Sequence, residues 1–447
     1  MTDTAGTPSG PEHPDQEGAT PEPKATYAPG AGSTPTGAGV ARRRRRWLRW
    51  TAIGVATVVL GTAGIGWALY NKLDRNITKD TDAAAELARY DKERPTALVH
   101  GAQNILLIGS DTRAGPGNKK YGRDRGTQRS DTTILLHLAA DRQSATAVSI
   151  PRDVMVDLPS CRRPDGSRTR AQFAQFNFAY EFGGTACTIR TVEKMTKIRV
   201  DHHMVVDFAG FKDMVEAVDG VQVCLKAPIN DADAHLKIAA GKQTLNGEQA
   251  LGYVRARKSI GDGSDTDRMD RQQQFLAALV NKVQSNDVLL NPGKLYPVLD
   301  AATSSLTTDP ALASLRGLYE LVRGMRNIPT EQVQFLTAPR RSYVYDANRD
   351  ELVEPAAEEL FSRLRTDTPL QVTREEPDAA VRDKRPQGGH DGSGDSSDAE
   401  DHQDSDGSDE YDDSDEYGSD EKPDDPSQTP SPAPTFRGNT AAGTTCE

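Results

Sequence analysis

"RSDTTILLHLAADRQSATAVSIPRD", residues 129–153, holds two short apolar runs, 132–138 and 145–150, joined by "AADRQS". Both runs are rich in β-branched residues and read as buried strands. The short link permits a hairpin between them. A third run of the same kind, "NILLIG" at 104–109, comes earlier. Polar residues gather at the ends of all three. Asp111 follows the first run, Arg129 and Asp131 precede the second, and Arg152 and Asp153 follow the third. These places meet only if the middle strand runs antiparallel to the other two. The pattern therefore predicts a mixed sheet with a polar site at one rim.

Working outward, "HHMVVDF" (202–208), "VQVCL" (221–225) and "VQFLTA" from Val333 add strands. Helical periodicity marks "FKDMVEAV" between the first two of these. It marks "GEQALGYV" (247–254), "DRQQQFLAALVNKVQS" (270–285), "PALASLRGLYELVRGM" (310–325) and "PAAEELFSRLR" (355–365) as well. Strands interleaved with helices predict an α/β fold, an α-β-α sandwich around a central mixed β-sheet. His137, His202 and His203 fall in strands and read as structural residues.

The chain has 447 residues and a formal net charge of -12. Residues 1–40 are rich in Pro, Gly, Thr and Ala; from about 374 to 440 the composition is Asp, Ser, Gly and Glu, then Pro. Neither end buries enough apolar surface to offset the entropy of ordering. Between Trp50 and Tyr70 there is no charged residue, a length that spans a bilayer core. Trp47, Trp50, Trp67 and Tyr70 sit where an aromatic belt would, and Arg42 to Arg46 flank the N-terminal side. The positive-inside rule then keeps the N-terminus in the cytoplasm and places everything beyond Tyr70 outside. Beside a span, the arginine run is a topology signal and implies no nucleic-acid partner. The expected organisation is a disordered cytoplasmic tail (1–46), one transmembrane helix (47–70) and a linker or stalk (71–97). An extracellular domain (98–370) and a disordered acidic tail rich in Pro and Ser (371–447) follow.

All four cysteines lie beyond the span, where disulfides persist. None forms a CxxC pair, which argues against a zinc site. Cys161 and Cys187 flank one insertion-like segment and make a natural local pair. That leaves Cys224 for Cys446, with an unpaired Cys224 and a free terminal thiol as the alternative.

Two carboxylates at one rim, Asp111 and Asp131, are the donor set Mg²⁺ prefers, completed by phosphate oxygens of a ligand. Arg129 and Arg152 supply planar forks that match phosphate. Arg255 and Arg257 are two apart and share a face in an extended segment. Arg268 and Gln272 are four apart and share a face on a helix. "SDTD" (264–267) is placed to cap that helix and aim its amides at an anion. A multi-arginine pocket with one metal suits a pyrophosphate, although each piece alone is common.

The ordered set is more specific than its pieces. "NILLIGSDTR" (104–113), "RSDTTILLHL" (129–138), "SIPRD" (149–153), "NFAYEFGG" (177–184), "VDFAGFKDMVEAVDGV" (206–221) and "LNGEQALGYVRAR…DTDRMDRQQQF" (245–275) occur in this order. The set closely resembles the LytR-CpsA-Psr family of cell-wall enzymes, over about 100–285. The resemblance implies a phosphotransferase that moves a glycopolymer from a polyprenyl-pyrophosphate carrier to the C6 hydroxyl of a peptidoglycan muramyl residue. By the same resemblance Asp111 and Asp131 carry Mg²⁺. Arg129, Arg152, Arg255, Arg257 and Arg268 hold the pyrophosphate, with Gln272 in support, and the lipid lies in an apolar tunnel. Local pairing is the alternative for Arg113 and Arg271. Asp111 is the first candidate for the base, with Asp153 and Asp267 as alternatives. Two competing functions use the same equipment: a lipid pyrophosphatase, and a non-catalytic regulator that binds polyprenyl lipid. The basic insertion "CRRPDGSRTRAQFAQ" (161–175) departs from the family pattern; it reads as a solvated loop first and a contact for anionic glycan second.

Overall fold

The computed structural model describes residues 38–110, 130–232, 234–256, 265–284, 291–373 and 435–444. The chain divides into an N-terminal unit, 1–66, and a second unit, 67–447. Helix α1 (Ala38–Asn76) contains a stretch, Arg46–Asn76, long and apolar enough to cross a membrane, and its apolar window is unburied.

The stretch expected to be a stalk is instead part of the body. After α1 come β1 (Thr78–Lys79) and α2 (Thr81–Arg89). Asp80 caps α2 by accepting from the Ala83 amide at 3.0 Å. Ala83 and Leu87, one turn apart, pack into the main core. Arg94 then forms a largely buried ion pair with Glu193 at 2.8 Å.

The next elements are β2 (Gln103–Ser110), β3 (Ser130–Leu138), β4 (Ala145–Ile150), β5 (Met155–Leu158), β6 (Gln172–Gln175), α3 (Phe178–Thr196), β7 (His202–Asp207) and α4 (Phe208–Ala217). Then follow β8 (Val221–Leu225), β9 (Ile229–Asp231), β10 (Leu236–Ile238), β11 (Gly241–Leu245), α5 (Gly247–Arg255), α6 (Asp265–Gln284), α7 (Pro292–Ser305) and β12 (Leu306–Thr308). The last are α8 (Leu315–Met325), β13 (Val333–Thr337), β14 (Arg340–Tyr343), β15 (Asp346–Leu352), α9 (Ala356–Arg365), β16 (Gln371–Thr373) and β17 (Thr435–Thr440).

Nine strands form one mixed sheet in the order β1-β12-β7-β2-β3-β4-β13-β17-β16. β3 runs antiparallel to β2 and β4, while β7 is parallel to β2 and β13 is parallel to β4. The C-terminal ends of β2, β4, β7 and β13 and the start of β3 thus share one rim, as the strand-end residues require.

Alternation explains why both faces are covered. Leu106, Ile108, Leu135, Val148 and Ile150 face a core completed by α3 and α9, with Ile189, Val192, Leu360 and Phe361. Ile134 and Ala147, on the other face, meet Ala277 of α6 and Phe335. A further cluster joins α4, α5 and α6 to the small ribbons β8–β11 and β9–β10 around Phe275. The result is the predicted α-β-α sandwich. Away from the rim, His137, His202 and His203 each engage a carboxylate, Asp367, Asp309 and Asp80.

Two glycines permit close approaches. Gly183 and Gly184 break α3 with non-helical angles, and a Cβ at Gly183 would lie 2.8 Å from the Cys187 Cβ and 3.0 Å from that of Cys161. Those two cysteines form the expected disulfide, with Cα atoms 5.5 Å apart. Cys224 is also disulfide-bonded; its partner lies outside the described residues, as does Cys446. The second glycine is Gly438, where a Cβ would collide with the Phe335 carbonyl.

Gly438 belongs to β17, which differs from the sequence expectation of a disordered tail from 371 onward. β17 pairs antiparallel with β13 and parallel with β16. Phe436 enters the main core, and Ala441 just beyond the strand packs on the opposite face. The docking is fastened by Arg437 to Asp270 at 2.9 Å and by the Asn281 amide to the Ala441 carbonyl at 2.7 Å. The acidic stretch between β16 and β17 lies outside the described residues.

Candidate active site

The rim is organised around Arg152. Pro151 follows the end of β4, and Arg152 follows Pro151. The Arg152 carbonyl accepts from the Asn177 amide at 3.0 Å, which fixes the backbone. Its guanidinium then spans two carboxylates. Nη1 donates to Asp131 Oδ1 at 2.8 Å and Nε donates to Asp153 Oδ2 at 3.1 Å. The other oxygen of Asp153 accepts from Gln175 Nε2 at 2.8 Å. These charge-assisted bonds hold a planar fork in one orientation. Ser110 ends β2 opposite Ser130 on β3 and level with Asp207 on β7, so the neighbouring strand ends close the same rim.

The second wall comes from α5 and α6. A reciprocal capping box between Asn246 and Gln249 starts α5. The Ala256 amide still bonds to the Gly252 carbonyl, so the helix runs through Arg255. This corrects the expectation of an extended Arg255–Arg257 segment: Arg255 ends a helix, and the chain turns extended only at Ala256. Arg255 lies over the Phe208 ring, 4.7 Å from its centroid. Phe208 follows Asp207 at the end of β7, so this cation–π contact brings Arg255 to the rim. From α6, Gln272 Nε2 donates to the Val254 carbonyl at 3.1 Å, and Arg271 donates to the Ala256 carbonyl. Both helix side chains thereby brace the backbone on either side of Arg255.

The direction of α6 follows from its partners. Gln273, buried, donates to Ser149 Oγ at 3.3 Å and Thr337 Oγ1 at 2.9 Å, near the rim ends of β4 and β13. Ala277, one turn later, packs lower on the sheet with Ala147 and Phe335. The N-terminus of α6 therefore faces the rim and brings the positive end of the helix dipole there. Arg268 lies in this half and is buried. The helix begins at Asp265, so Asp265, Thr266 and Asp267 occupy its first turn rather than preceding it.

Asp131 and Arg152 are thus in direct contact, and Arg255, Arg268 and Gln272 gather where α5 and α6 meet the rim. Asp111, Arg113, Arg129 and Arg257 lie outside the described residues, as does the side chain of Asp267. Gln273, Gln175 and Phe208 were not anticipated. The signal for the first was available, because position 273 shares a helix face with the apolar 277. Among the described residues no group of three or more His, Cys, Asp or Glu is placed to hold a metal. Asp131 fits a Mg²⁺ site of the sparse kind, in which one or two carboxylates are completed by phosphate oxygens. One of its oxygens already serves Arg152.

Comparison with known proteins agrees with this architecture. A probable cell wall biosynthesis protein of Corynebacterium glutamicum, LcpB, is 33% identical over 341 residues, 74% of this chain and 76% of that protein. The polyisoprenyl-teichoic acid–peptidoglycan teichoic acid transferase TagT of Bacillus subtilis is 26% identical over 322 residues, 70% of this chain and 93% of TagT. The crystal structure of protein gbs0355 from Streptococcus agalactiae superposes with a TM-score of 0.50 at 23% identity, covering 61% of this chain and 91% of that one. That likeness speaks to the fold. With the LytR_cpsA_psr model matching residues 73–366 as well, the chain belongs to the LytR_cpsA_psr family.

Proposed function

We propose that the protein is a membrane-anchored transferase that moves a glycopolymer from a polyprenyl-pyrophosphate carrier to peptidoglycan, at the muramyl C6 hydroxyl. The observation that carries the reading is the Arg152 clamp beside Asp131, with Arg255 and Arg268 on the facing wall. The departing group is a polyprenyl phosphate, on which negative charge builds as the bond breaks. A fork fixed before the substrate arrives stabilises that charge without reorganising. The N-terminal end of α6 adds its dipole. Asp131, together with Asp111, would hold Mg²⁺, which supplies further charge neutralisation on the pyrophosphate. Asp153 is committed to Arg152 and Gln175 and serves to orient the fork rather than to take the sugar proton. Asp111 stays the first candidate for the base, with Asp267 as the alternative. The arginine run near the start of α1, ahead of its apolar stretch, keeps the N-terminus in the cytoplasm and the domain outside, and the Cys161–Cys187 disulfide suits an oxidising exterior.

The test uses the purified full chain in detergent with a lipid-linked glycan, with and without peptidoglycan fragments and Mg²⁺. Attachment of glycan to the fragments, lost on Arg152→Ala, supports the proposal. Release of free glycan at the same rate without acceptor would instead identify a pyrophosphatase.

A further inference from the structure

Two hairpins stand beside the rim, and the catalytic reading uses neither tip. One is β5–β6, the other β14–β15. Both are tied to the residue next to Arg152. The Asp350 amide donates to the Asp153 carbonyl at 3.1 Å, Val154 bridges to Asp350, and Arg340 pairs with Asp350. On the other side Gln175 of β6 holds the Asp153 carboxylate. Phe173 is two residues from Gln175, on the same face of the strand and roughly 7 Å along it.

At that distance three aromatic rings meet. Phe173 and Tyr343 have centroids 6.1 Å apart, and Tyr343 and Tyr345 are 5.4 Å apart. The two outer rings are exposed, Phe173 at 53% and Tyr345 at 84%, with Tyr343 half-buried between them. Contiguous exposed rings of this kind mark an interaction surface. The charges around them identify the partner. On the β14–β15 hairpin Arg341 pairs with Glu351 and Arg349 with Asp346, so both signs are present and locally matched around Tyr343 and Tyr345. That half of the border has no excess of either sign to select an anionic surface. It offers both donors and acceptors, which suits a neutral, hydroxyl-rich ligand. The face of a pyranose ring presents slightly positive C–H groups, which match the negative face of an aromatic ring.

We propose that Phe173, Tyr343 and Tyr345 form a saccharide-binding ledge that seats the acceptor glycan strand beside Arg152. The proposal rests on the transferase reading for the identity of the glycan.

The experiment measures binding without turnover. The full chain in detergent is titrated with a soluble β-1,4-linked N-acetylglucosamine oligomer, followed by saturation-transfer NMR and calorimetry. Wild type should bind. Tyr345→Ala and Phe173→Ala should each weaken binding about three- to tenfold, while Tyr345→Phe retains it. Unchanged melting of the variants shows that they are folded. In the transfer assay the alanine variants should raise the KM for acceptor and leave donor binding unchanged. Oligomer binding that depends on the rings, with no transfer, supports the ledge and defeats only the transferase reading. Transfer with an unaltered acceptor KM in both alanine variants overturns the ledge alone. It is also overturned if wild type fails to bind the oligomer, or if Tyr345→Ala converts a dimer to a monomer without changing saccharide binding.

Discussion

Phe436→Ala tests whether the last strand carries part of the stability of the whole domain. Phe436 is only 6% exposed and packs in the same core as Leu360, Phe361 and Leu370. Truncating a buried Phe to Ala costs about 3–5 kcal/mol, the lost transfer energy plus the cavity. β17 is flanked only by the short β16 on its outer side, so partial collapse is available and about 3–4 kcal/mol is expected. The entropy of unfolding is about 2.1 cal/mol/K per residue, which for roughly 300 ordered residues is about 0.6 kcal/mol/K. The melting temperature should therefore fall by about 5–6 °C. Arg437→Ala is the internal control. Its ion pair with Asp270 is partly exposed to solvent, such surface pairs contribute about 0–1 kcal/mol, and the shift should stay below about 2 °C. The assay is thermal melting followed by circular dichroism, on the purified chain in detergent without reductant. If Phe436→Ala melts with the wild type, the segment is not docked and the reasoning from its burial is wrong.

Arg152→Ala should lower transfer about 10²–10³-fold, the cost of removing one fixed donor to developing charge, read as initial rate with saturating donor. Gln273→Leu should destabilise the domain by about 1–3 kcal/mol, because the Ser149 and Thr337 hydroxyls lose their shared buried donor; denaturant unfolding measures it. Asp80 and Asp309 are both held below the ordinary value of 3.8: burial acts upward on each, but hydrogen bonds involving His203 and His202, with backbone amides in addition, outweigh it. Because their pKa is depressed in the fold, both carboxylates stabilise it above 3.8 and lose that contribution as the pH falls below that value. Asp80→Asn and Asp309→Asn should therefore melt below wild type at pH 7, and the gap should narrow by pH 3.

The middle of the central sheet was legible because β2, β3 and β4 are apolar on both faces and have charged residues at or beside their rim ends. The runs 104–109 and 145–150 lie within β2 and β4. The rim followed from strand direction alone, and the Asp131–Arg152 contact realises it. The Arg255 geometry was not legible, since RxR spacing is compatible with either a strand or a helix end. Only the capping box and the α6 contacts decide between them. The span from 71 to 97 reads as a stalk because α2 is short and its apolar stripe is little more than Ala83 and Leu87. β17 escaped for a related reason. "TFRGNT" offers one large apolar side chain, and the composition before it is that of a tail. Its place depends on a groove between β13 and β16 that no local pattern announces.

That late strand sets an order of events. β17 occupies the next-to-last position in the nine-stranded sheet, between β13 and the edge strand β16. β16 precedes β17 in sequence, yet it joins the sheet only once β17 has docked against β13. Removal of β17 alone would spare every catalytic candidate and still strand β16 and open the β13 edge, so the sheet closes there as one cooperative unit of two strands.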